Sequence, residues 1–398
     1  MIVPLLLRKA SSSLLTALFL VPCAFFKVGN ECEFVGTSNI QKENGIVIAR
    51  NPNDPLYGVR TFHMNEDKNF DPRPDDHPGY FRINSIEIDF SGNLYVLDGY
   101  ASRIYKFDRR GRLIQAISLK GDKKGEFENL LQLGLGRDGR LYVLEPHKIH
   151  VFSQNGRFEK SIDFECSLFY FGLMDEGKIM ANLINSDRSR EIALFDGKGA
   201  KIRTVFLAPP KQAMPQSLVA SVGALSHIHV PRLHLSAIDE KTAVYGHSSE
   251  YRLHLINNHG DELRIIEKEE SPEPLSRAEK QSLIQSNLAS LRRRGLKATE
   301  EDAIRALPLE EYKPFYHFIF SDDKSFIFTV RLEKQRQTTD VFDRQGRYLE
   351  RIQSPIFPIF RIFDGFLYSL RPAERKKGSI DVVRIVRYKF RPSSSPSS

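Results

Sequence analysis

The stretch SGNLYVLD at residues 91–98 returns as DGRLYVLE at residues 138–145. Each copy leads into a second strand-like run that closes with a glycine turn, and these runs read RIYKFDRRGRL at 103–113 and KIHVFSQNGRF at 148–158. β-Branched, aromatic and aliphatic residues between Gly-containing turns are typical of short antiparallel strands. A repeat of about 45 residues with four such strands indicates the blade of a β-propeller.

Four weaker copies of this unit follow along the chain. They are DEGKIMANL at 175–183 with IALFDGKGAKI at 192–202, DEKTAVYG at 239–246 with YRLHLINNHGDEL at 251–263, DDKSFIFTV at 322–330 with TDVFDRQGRYL at 339–349, and IFRIFDGFLYSL at 359–370 with IDVVRIVRYKF at 380–390. The six units predict an all-β protein, a six-bladed β-propeller over residues 45–390.

The last unit stops one strand short of a complete blade. Propellers commonly close by taking a strand from the opposite terminus, because this removes an open sheet edge. The short apolar run GIVIAR at residues 45–50 lies upstream of the first unit. It is predicted to close the ring as the outer strand of the sixth blade. The alternative is a loose strand ahead of the first blade.

Long insertions fall between the units, at residues 119–130, 206–232 and 267–313. The tight glycine turns follow the first and third strands of a unit instead. Because successive strands are antiparallel, these two kinds of connection lie on opposite faces of the ring. One face is therefore predicted to be short. The other face, which also carries the loops between second and third strands, is predicted to be rich in loops.

The longest insertion has the pattern of a helix. Ser276 and Glu279 are spaced as in a capping box, and Gly295 is placed where a helix would end. Four apolar residues recur at helical spacing and would form one buried face. They are Leu283, Ile284, Leu288 and Leu291. The sequence predicts a helical insertion at residues 272–308, between blades four and five, packed across the loop-rich face.

The composition of the chain bounds its class and its partners. At 398 residues and 41% hydrophobic content, one large propeller can bury a core. The three cysteines are too few for a disulfide framework. The net charge is +8, but basic and acidic residues are interleaved, as in KGDKKGE at 120–126. No basic stripe is present, so a nucleic-acid partner is not predicted.

The N-terminus has the pattern of an export signal over residues 1–26. Arg8 and Lys9 precede an apolar stretch at residues 14–21 that is short for a membrane span. Residues 20–23 resemble a lipoprotein box ending at Cys23, although Pro22 stands where glycine or alanine is expected. Lipidation of Cys23, an uncleaved anchor and soluble export are the alternatives. The predicted location is periplasmic, outer-membrane or extracellular, and residues 391–398 are predicted to be a disordered tail.

The repeats resemble the NHL type of six-bladed β-propeller, in its bacterial exported or lipoprotein versions. The resemblance rests on GNLYVLDGYASRIYKFDRRGRLI at 92–114, GDKKGEFENL at 121–130, RYLERI at 347–352 and VVRIVRYKF at 382–390. It implies a propeller that binds a ligand on its loop-rich face. It does not imply one activity, because propellers serve as binding modules, lyases and lactonases alike.

Enzymatic propellers usually hold a metal in the central channel, between oxygen ligands from several inner strands. Six residues are candidates for the inner strands here. They are Asn84, Gln132, Phe169, His234, His317 and Arg361. These do not form the acidic set that a calcium-dependent lactonase needs. His234 and His317 could face the channel, but lone strand histidines are usually hydrogen-bonded core residues. No metal, cofactor or catalytic residue is predicted.

The leading hypothesis is a non-catalytic, exported binding propeller that engages a protein, peptide or glycan at the cell envelope through its loop-rich face. The membrane is a partner only through an N-terminal lipid or anchor. Seven residues on predicted loops between second and third strands are the candidate ligand contacts. They are Tyr100, Arg103, His147, Lys148, Arg188, His247 and Arg336. The alternatives are a metal-dependent hydrolase or lyase, lactonase-like or amidating-lyase-like, with its site at the channel mouth, and a structural scaffold.

Overall fold

Six β-sheets form the blades of a propeller in the computed structural model of this chain. The structure describes residues 38–63, 65–70, 83–99, 101–119, 129–187, 189–208, 229–293, 295–305, 310–333, 336–355, 359–372 and 383–390. The predicted export signal with Cys23, and the predicted C-terminal tail, lie outside these residues.

Four strands precede the first blade, and three complete blades follow them. The preceding strands are β1 (Asn39–Glu43), β2 (Ile46–Asn51), β3 (Val59–Thr61) and β4 (Glu66–Phe70). Blade one contains β5 (Ile83–Ile88), β6 (Leu94–Asp98), β7 (Arg103–Phe107) and β8 (Leu113–Ser118). Blade two contains β9 (Gln132–Leu135), β10 (Leu141–Glu145), β11 (Lys148–Phe152) and β12 (Phe158–Asp163). Blade three contains β13 (Ser167–Leu173), β14 (Ile179–Ile184), β15 (Arg190–Phe195) and β16 (Lys201–Ala208).

The remaining three blades complete the ring. Blade four contains β17 (Leu233–Ala237), β18 (Thr242–His247), β19 (Arg252–Asn257) and β20 (Glu262–Lys268). Blade five contains β21 (Phe318–Ser321), β22 (Ile327–Leu332), β23 (Arg336–Phe342) and β24 (Tyr348–Pro355). Blade six contains β25 (Ile359–Phe363), β26 (Phe366–Pro372) and β27 (Val383–Lys389). The innermost strands β5, β9, β13, β17, β21 and β25 surround the channel, so the predicted six-bladed fold is confirmed.

The repeated motif forms the tight turn between the first and second strands of a blade. Gly92 and Gly139 adopt φ of 78° and 80°, which only glycine reaches without strain. An aspartate stabilises each of these turns through its side chain. Asp89 Oδ1 accepts hydrogen bonds from the backbone N–H groups of Ser91 and Asn93, at 3.0 and 2.9 Å. The DG and SGN sequences therefore define hairpins on the short face.

The predicted helical insertion is confirmed and contains α1 (Arg277–Arg293) and α2 (Glu300–Arg305), between β20 and β21. Ser276 Oγ accepts a hydrogen bond from the Glu279 N–H at 3.2 Å, and the Ser276 N–H donates to the Glu279 carboxylate at 3.1 Å. This reciprocal capping box begins α1 where the sequence predicts it. The four predicted apolar residues of α1 are buried. In the described part of the chain, no helix is long and apolar enough to cross a membrane.

The outer strand of blade six comes from the N-terminal part of the chain, but it is not the predicted segment, residues 45–50. Residues 45–50 form most of β2, which pairs in parallel with β20 at the outer edge of blade four, with Val47 opposite Arg264. The outer strand of blade six is β4, which pairs with β27 in antiparallel orientation. The sequence EDKNF of β4 is polar because an outermost strand faces solvent, and Phe70 is its deeply buried residue among those whose burial is described. An apolar run was therefore the wrong signal for this position.

The strands β1 to β4, which we call the N-terminal strap, add to the outer edges of three consecutive blades. The hairpin of β1 and β2 extends blade four, β3 pairs in parallel with β24 of blade five, and β4 completes blade six. Arg60 in β3 pairs with the buried carboxylate of Glu350 at 3.1 Å. The strap protects these sheet edges and ties the blades to one another.

Asn51 joins the strap to blades four and five. Its side-chain N–H₂ group donates to the Glu267 carbonyl at 3.0 Å and to the Gly346 carbonyl at 2.9 Å. Its side-chain oxygen accepts from the Tyr348 N–H at 2.8 Å. Since Asn51 is only 1% exposed, water cannot replace these partners. One amide therefore satisfies backbone groups on both blades.

The substitution Asn51→Ala should lower the free energy of unfolding by about 2–4 kcal/mol, because it leaves several buried backbone groups without partners. Denaturant unfolding measures this loss. Asn39→Ala, at an exposed position of β1, is the matched control and should change stability by about 0.5 kcal/mol or less. Equal effects of the two substitutions would contradict the proposed role of Asn51.

Candidate ligand-binding site at the channel mouth

Basic residues gather where the channel opens on the loop-rich face, which we call the channel mouth. Arg190 begins β15, Arg232 directly precedes β17 and His317 directly precedes β21. His234 lies in β17 and His247 ends β18. Each of the other four lowers the pKa of His234 electrostatically, so all four lie within electrostatic range of His234. They come from three consecutive blades, so the ring itself brings them together.

Arg190 is half-buried, and no carboxylate pairs with it among the residues that the structure describes. Its guanidinium group lies 5.6 Å from the ring centroid of Phe169, an aromatic residue of β13 that is 48% exposed. Burial lowers the pKa of Arg190 below its usual value. Burial and the charge of Arg190 together lower the pKa of Arg232 to about 10. The mouth therefore holds two desolvated cations close to one another.

His234 is the most strongly perturbed group of the mouth. Its pKa is lowered to about 3. Burial is the largest cause of this shift, the charge of Arg232 is the second, and the other basic residues of the mouth add to it. Its ring lies 5.7 Å from that of the buried Tyr316. The Nε2 atom is buried and has no hydrogen-bond partner in the described part of the chain. His234 is therefore neutral at physiological pH and has an unused polar atom.

Hydrogen bonds between loops hold the mouth in place. The Arg232 N–H donates to the Ser248 Oγ at 2.8 Å, and the Ser248 N–H donates to the Arg232 carbonyl at 2.8 Å. The Ser248 carbonyl accepts from the Phe315 N–H at 2.8 Å. The Nδ1 atom of His317 accepts from the Leu332 N–H at 3.0 Å, so its proton is on Nε2 when the ring is neutral. These contacts connect blade four to blade five.

Farther along the channel, charges are compensated. Arg361 in β25 pairs with Glu87 in β5 at 3.4 Å, across the junction of blades six and one. Burial raises the pKa of Glu87 above its usual value. Tyr170 Oη, from blade three, accepts a hydrogen bond from the Ala237 N–H at 3.3 Å. The channel interior thus holds an ion pair, whereas Arg190 at the mouth has no carboxylate partner among the described residues.

A cleft of about 860 Å³ lies beside the mouth, between α1 and blade five. Its lining includes Ser282 of α1, as well as Glu333 and Arg336 at the connection from β22 to β23. The helical insertion therefore lies on the loop-rich face, as predicted. His317 also lines this cleft, so the mouth and the cleft share a wall.

A buried ion network lies next to the cleft, at the junction of blades four and five. Lys268 has a fully buried side chain that pairs with Asp340 at 2.8 Å and with Glu270 at 2.5 Å. Arg351 pairs with Asp340 at 2.8 Å. Glu270 also pairs with Arg331, and both residues line the cleft. Burial alone would raise the pKa of Asp340, but Lys268 and Arg351 outweigh it and hold that pKa far below its usual value.

The predicted ligand contacts occupy the expected type of loop but do not form one group. Two of them, Tyr100 and Arg188, lie outside the described residues. The others stand at connections between second and third strands. Arg103 belongs to blade one, and His147 and Lys148 belong to blade two. His247 is part of the mouth, and Arg336 lines the cleft. Their role in ligand binding stays a prediction.

Some inner-strand candidates hold blades together instead. The Gln132 side chain makes two hydrogen bonds of 2.9 Å with the backbone of Phe171, which joins blades two and three. The Asn84 side chain donates to the Leu130 carbonyl on the link from blade one to blade two. Sequence reasoning missed Arg190 and Arg232. Arg190 begins the third strand of its blade, as Arg103 and Arg336 do, and this shared position was the available signal.

Among the residues that the structure describes, no three His, Cys, Asp or Glu side chains come together as a metal-binding group. The fold and the mouth define a six-bladed propeller with a basic opening on its loop-rich face.

Comparison with known proteins shows likeness in fold. A member of the DUF4221 family from Bacteroides vulgatus aligns with a TM-score of 0.54 and 10% identity, over 83% of this chain and 99% of that one. A candidate exported protein from Bacteroides fragilis aligns with a TM-score of 0.49 and 10% identity, over 86% of this chain and 99% of that one. Regucalcin, a calcium-binding protein from Agrobacterium tumefaciens, aligns with a TM-score of 0.42 and 11% identity, over 84% of this chain and 97% of that one. No protein-family model and no curated protein matches the sequence. The NHL resemblance therefore stays a prediction.

We expect the imidazole of His234 to remain neutral between pH 8 and pH 5 in the folded protein. In the unfolded chain it titrates near pH 6.5, so the unfolded state binds more protons below that pH and stability falls as the solution is acidified. The loss at pH 5 should be roughly 1–2 kcal/mol, and His234→Gln should remove this part of the pH dependence. An NMR titration of the histidine ring protons measures the pKa of His234. The resonance of His234 is the one that is missing from the spectrum of His234→Gln. A midpoint above pH 6 for His234 would contradict the expected neutrality.

Asp340→Asn should lower the free energy of unfolding by about 3–5 kcal/mol near pH 7, because it leaves Lys268 buried without a counter-charge. The pKa of Asp340 is depressed in the folded state, so its contribution is complete above about pH 4 and is lost as the pH falls further. Denaturant unfolding at pH 7, 5 and 3 measures the free energy of unfolding of wild type and variant. The difference between the two should become smaller only at pH 3. Glu159→Gln, which removes an exposed pair with Arg140, should cost about 1 kcal/mol or less. A loss of that size for Asp340→Asn as well would refute the role of the network.

Proposed function

We propose that this protein is an exported, non-catalytic binding propeller that holds an acidic group of a protein, peptide or glycan at its channel mouth. The observation that carries the proposal is the position of Arg190. Its guanidinium is half-buried, packs on the exposed ring of Phe169 and has no carboxylate partner in the described structure. A carboxylate, sulfate or phosphate would provide the missing counter-charge.

The energetic argument concerns desolvation. Enclosing a cation costs free energy unless an opposite charge or hydrogen-bond acceptors replace water. Elsewhere in this ring the enclosed cations have such partners, as Arg361 has Glu87 and Lys268 has Asp340. An acidic ligand would lower the cost at the mouth, and it would interact with the planar donors of Arg190 in a defined orientation. This difference between the mouth and the rest of the ring supports a binding role.

The unpartnered Nε2 atom of His234 gives a second point of contact. In the neutral ring this atom either accepts or donates a hydrogen bond, depending on the tautomer. A hydroxyl or amide of the ligand beside its acidic group would satisfy it. Protonation of His234 next to a bound anion would also become easier, so acidic ligands should bind more tightly as the pH falls. The cell envelope as the place of action rests on the sequence pattern of residues 1–26.

The substitution Arg190→Ala should weaken the binding of acidic ligands by roughly tenfold to a hundredfold, the usual range for a lost charge-assisted hydrogen bond. Glucuronate, galacturonate and sulfated N-acetylglucosamine are suitable small probes, with glucose as the neutral comparison, and calorimetry or thermal shift gives the affinities. Arg190→Lys should fall between wild type and alanine, because it keeps the charge but loses the planar donors.

Arg112→Ala is the matched control, since Arg112 is an exposed arginine at a turn of the short face that pairs with Asp108. It should bind the probes like wild type. Equal binding of acidic and neutral probes, or an unchanged affinity of Arg190→Ala, would refute the proposed function.

A further inference from the structure

We infer that the ligand is an acidic oligosaccharide whose charged group lies in the channel mouth and whose neutral, hydroxyl-rich units lie in the cleft between α1 and blade five. This inference rests on the proposed function of the mouth. It adds the chemical class of the ligand and assigns a second subsite to the cleft.

The mouth and the cleft are adjacent through one short segment. Tyr316 packs against His234 of the mouth, and the next residue, His317, lines the cleft while its charge acts on His234. Ser248 holds the backbone at Phe315, which also lines the cleft. A ligand held at the mouth therefore has the cleft as its next available space. At about 860 Å³, the cleft is at the upper end of the range for small-molecule sites.

The charges that line the cleft are already paired with one another. Lys313 pairs with Glu279 at 2.9 Å and also with Glu273. Arg331 pairs with Glu270, and Arg336 with Glu333. A second strongly charged group would have to break one of these pairs to bind here. A neutral group with many donors and acceptors can use the remaining lone pairs and N–H groups without breaking them, which favours hydroxyl groups over charges.

The lining also favours a sugar chain over a peptide. Twelve of the seventeen lining residues are charged, hydroxyl-bearing or histidine, so hydrogen-bond donors and acceptors surround the apolar parts of the lining. The two strands of blade five that end at the cleft, β22 and β23, are both paired on each side within their sheet. A peptide could therefore not add there as an extra strand. The apolar contacts at Phe315 and Leu283 suit the C–H faces of sugar rings.

The polar groups of the cleft are held rigidly. Glu279 is fixed by the capping box with Ser276 and by Lys313, and although burial opposes it, these contacts lower its pKa to about 2. It is therefore an ionised acceptor at any physiological pH. Because its partners already restrict its rotamer, binding a hydroxyl there costs little additional side-chain entropy. This preorganisation is the property that weakly interacting neutral ligands need.

The test compares ligand length in wild type and in a variant that fills the cleft. Ser282 is an exposed residue of α1 that lines the cleft, and Ser282→Trp would occupy its space. Ser286→Trp, one helical turn further along, also changes an exposed serine of α1 but does not line the cleft, so it is the matched control. The probes are glucuronate and a tetrasaccharide of one terminal glucuronate and three neutral units, a sulfated N-acetylglucosamine and a tetrasaccharide sulfated on one terminal unit only, maltotetraose, and tetraglutamate, measured by calorimetry.

Wild type and Ser286→Trp should bind an acidic tetrasaccharide at least about tenfold more tightly than the matching monosaccharide, as expected for about 1.4 kcal/mol of added contacts. Ser282→Trp should lose this gain and still bind the monosaccharide, whereas Arg190→Ala should lose both. If the acidic monosaccharide binds but the tetramer gains nothing, or Ser282→Trp keeps the gain, the cleft subsite is refuted and the mouth remains. If tetraglutamate shows the gain instead, the oligosaccharide assignment is overturned. If no acidic probe binds, the function of the mouth fails first, and this inference fails with it.

Discussion

The buried ion pair between Lys268 and Asp340 is the interaction on which the rest of the site depends. It joins blade four to blade five with side chains that are 0% and 5% exposed. Removing two charges from water costs several kcal/mol each, and this cost is offset only when the pairing geometry is good. The rings of Tyr251 and Tyr348 lie against Lys268 at 4.4 and 4.8 Å and complete its surroundings. Lys268 also pairs with Glu270, which lines the cleft. The shape of the loop-rich face therefore depends on how firmly these two blades are held together.

The N-terminal strap supports this junction from the outer rim. Its strands pair with blades four, five and six, whereas within the described residues β8, β12 and β16 are the outermost strands of blades one to three. Asn51 satisfies backbone groups of both blades at the point where the strap crosses between them. The half of the ring that carries the helical insertion and the cleft is thus the half with the extra edge pairing. Added rigidity there favours a preformed site.

The sequence predicted the ring, the helical insertion and the two faces, because turns and alternating strands depend on local chemistry. Gly92 and Gly139 were recognisable since a tight turn restricts φ at those positions. The strand β4 was not recognisable, because an outermost strand needs a partner more than it needs apolar residues. Arg190 and Arg232 were missed for a related reason. An arginine in a loop is ordinarily solvated, and only the packing of blades three to five shows that these two are half-buried together.

The mouth and the junction make opposite use of buried charge in neighbouring parts of one ring. At the junction, Lys268 lies between carboxylates and aromatic rings, so its burial contributes to a defined blade arrangement. At the mouth, Arg190 is half-buried beside an exposed ring without such compensation in the described structure. An uncompensated cation lowers stability, and positions where a fold keeps such a cost are characteristic of functional sites. The contrast is informative because both places belong to the same repeat, where a glutamate or aspartate could neutralise Arg190 as readily as it does Lys268.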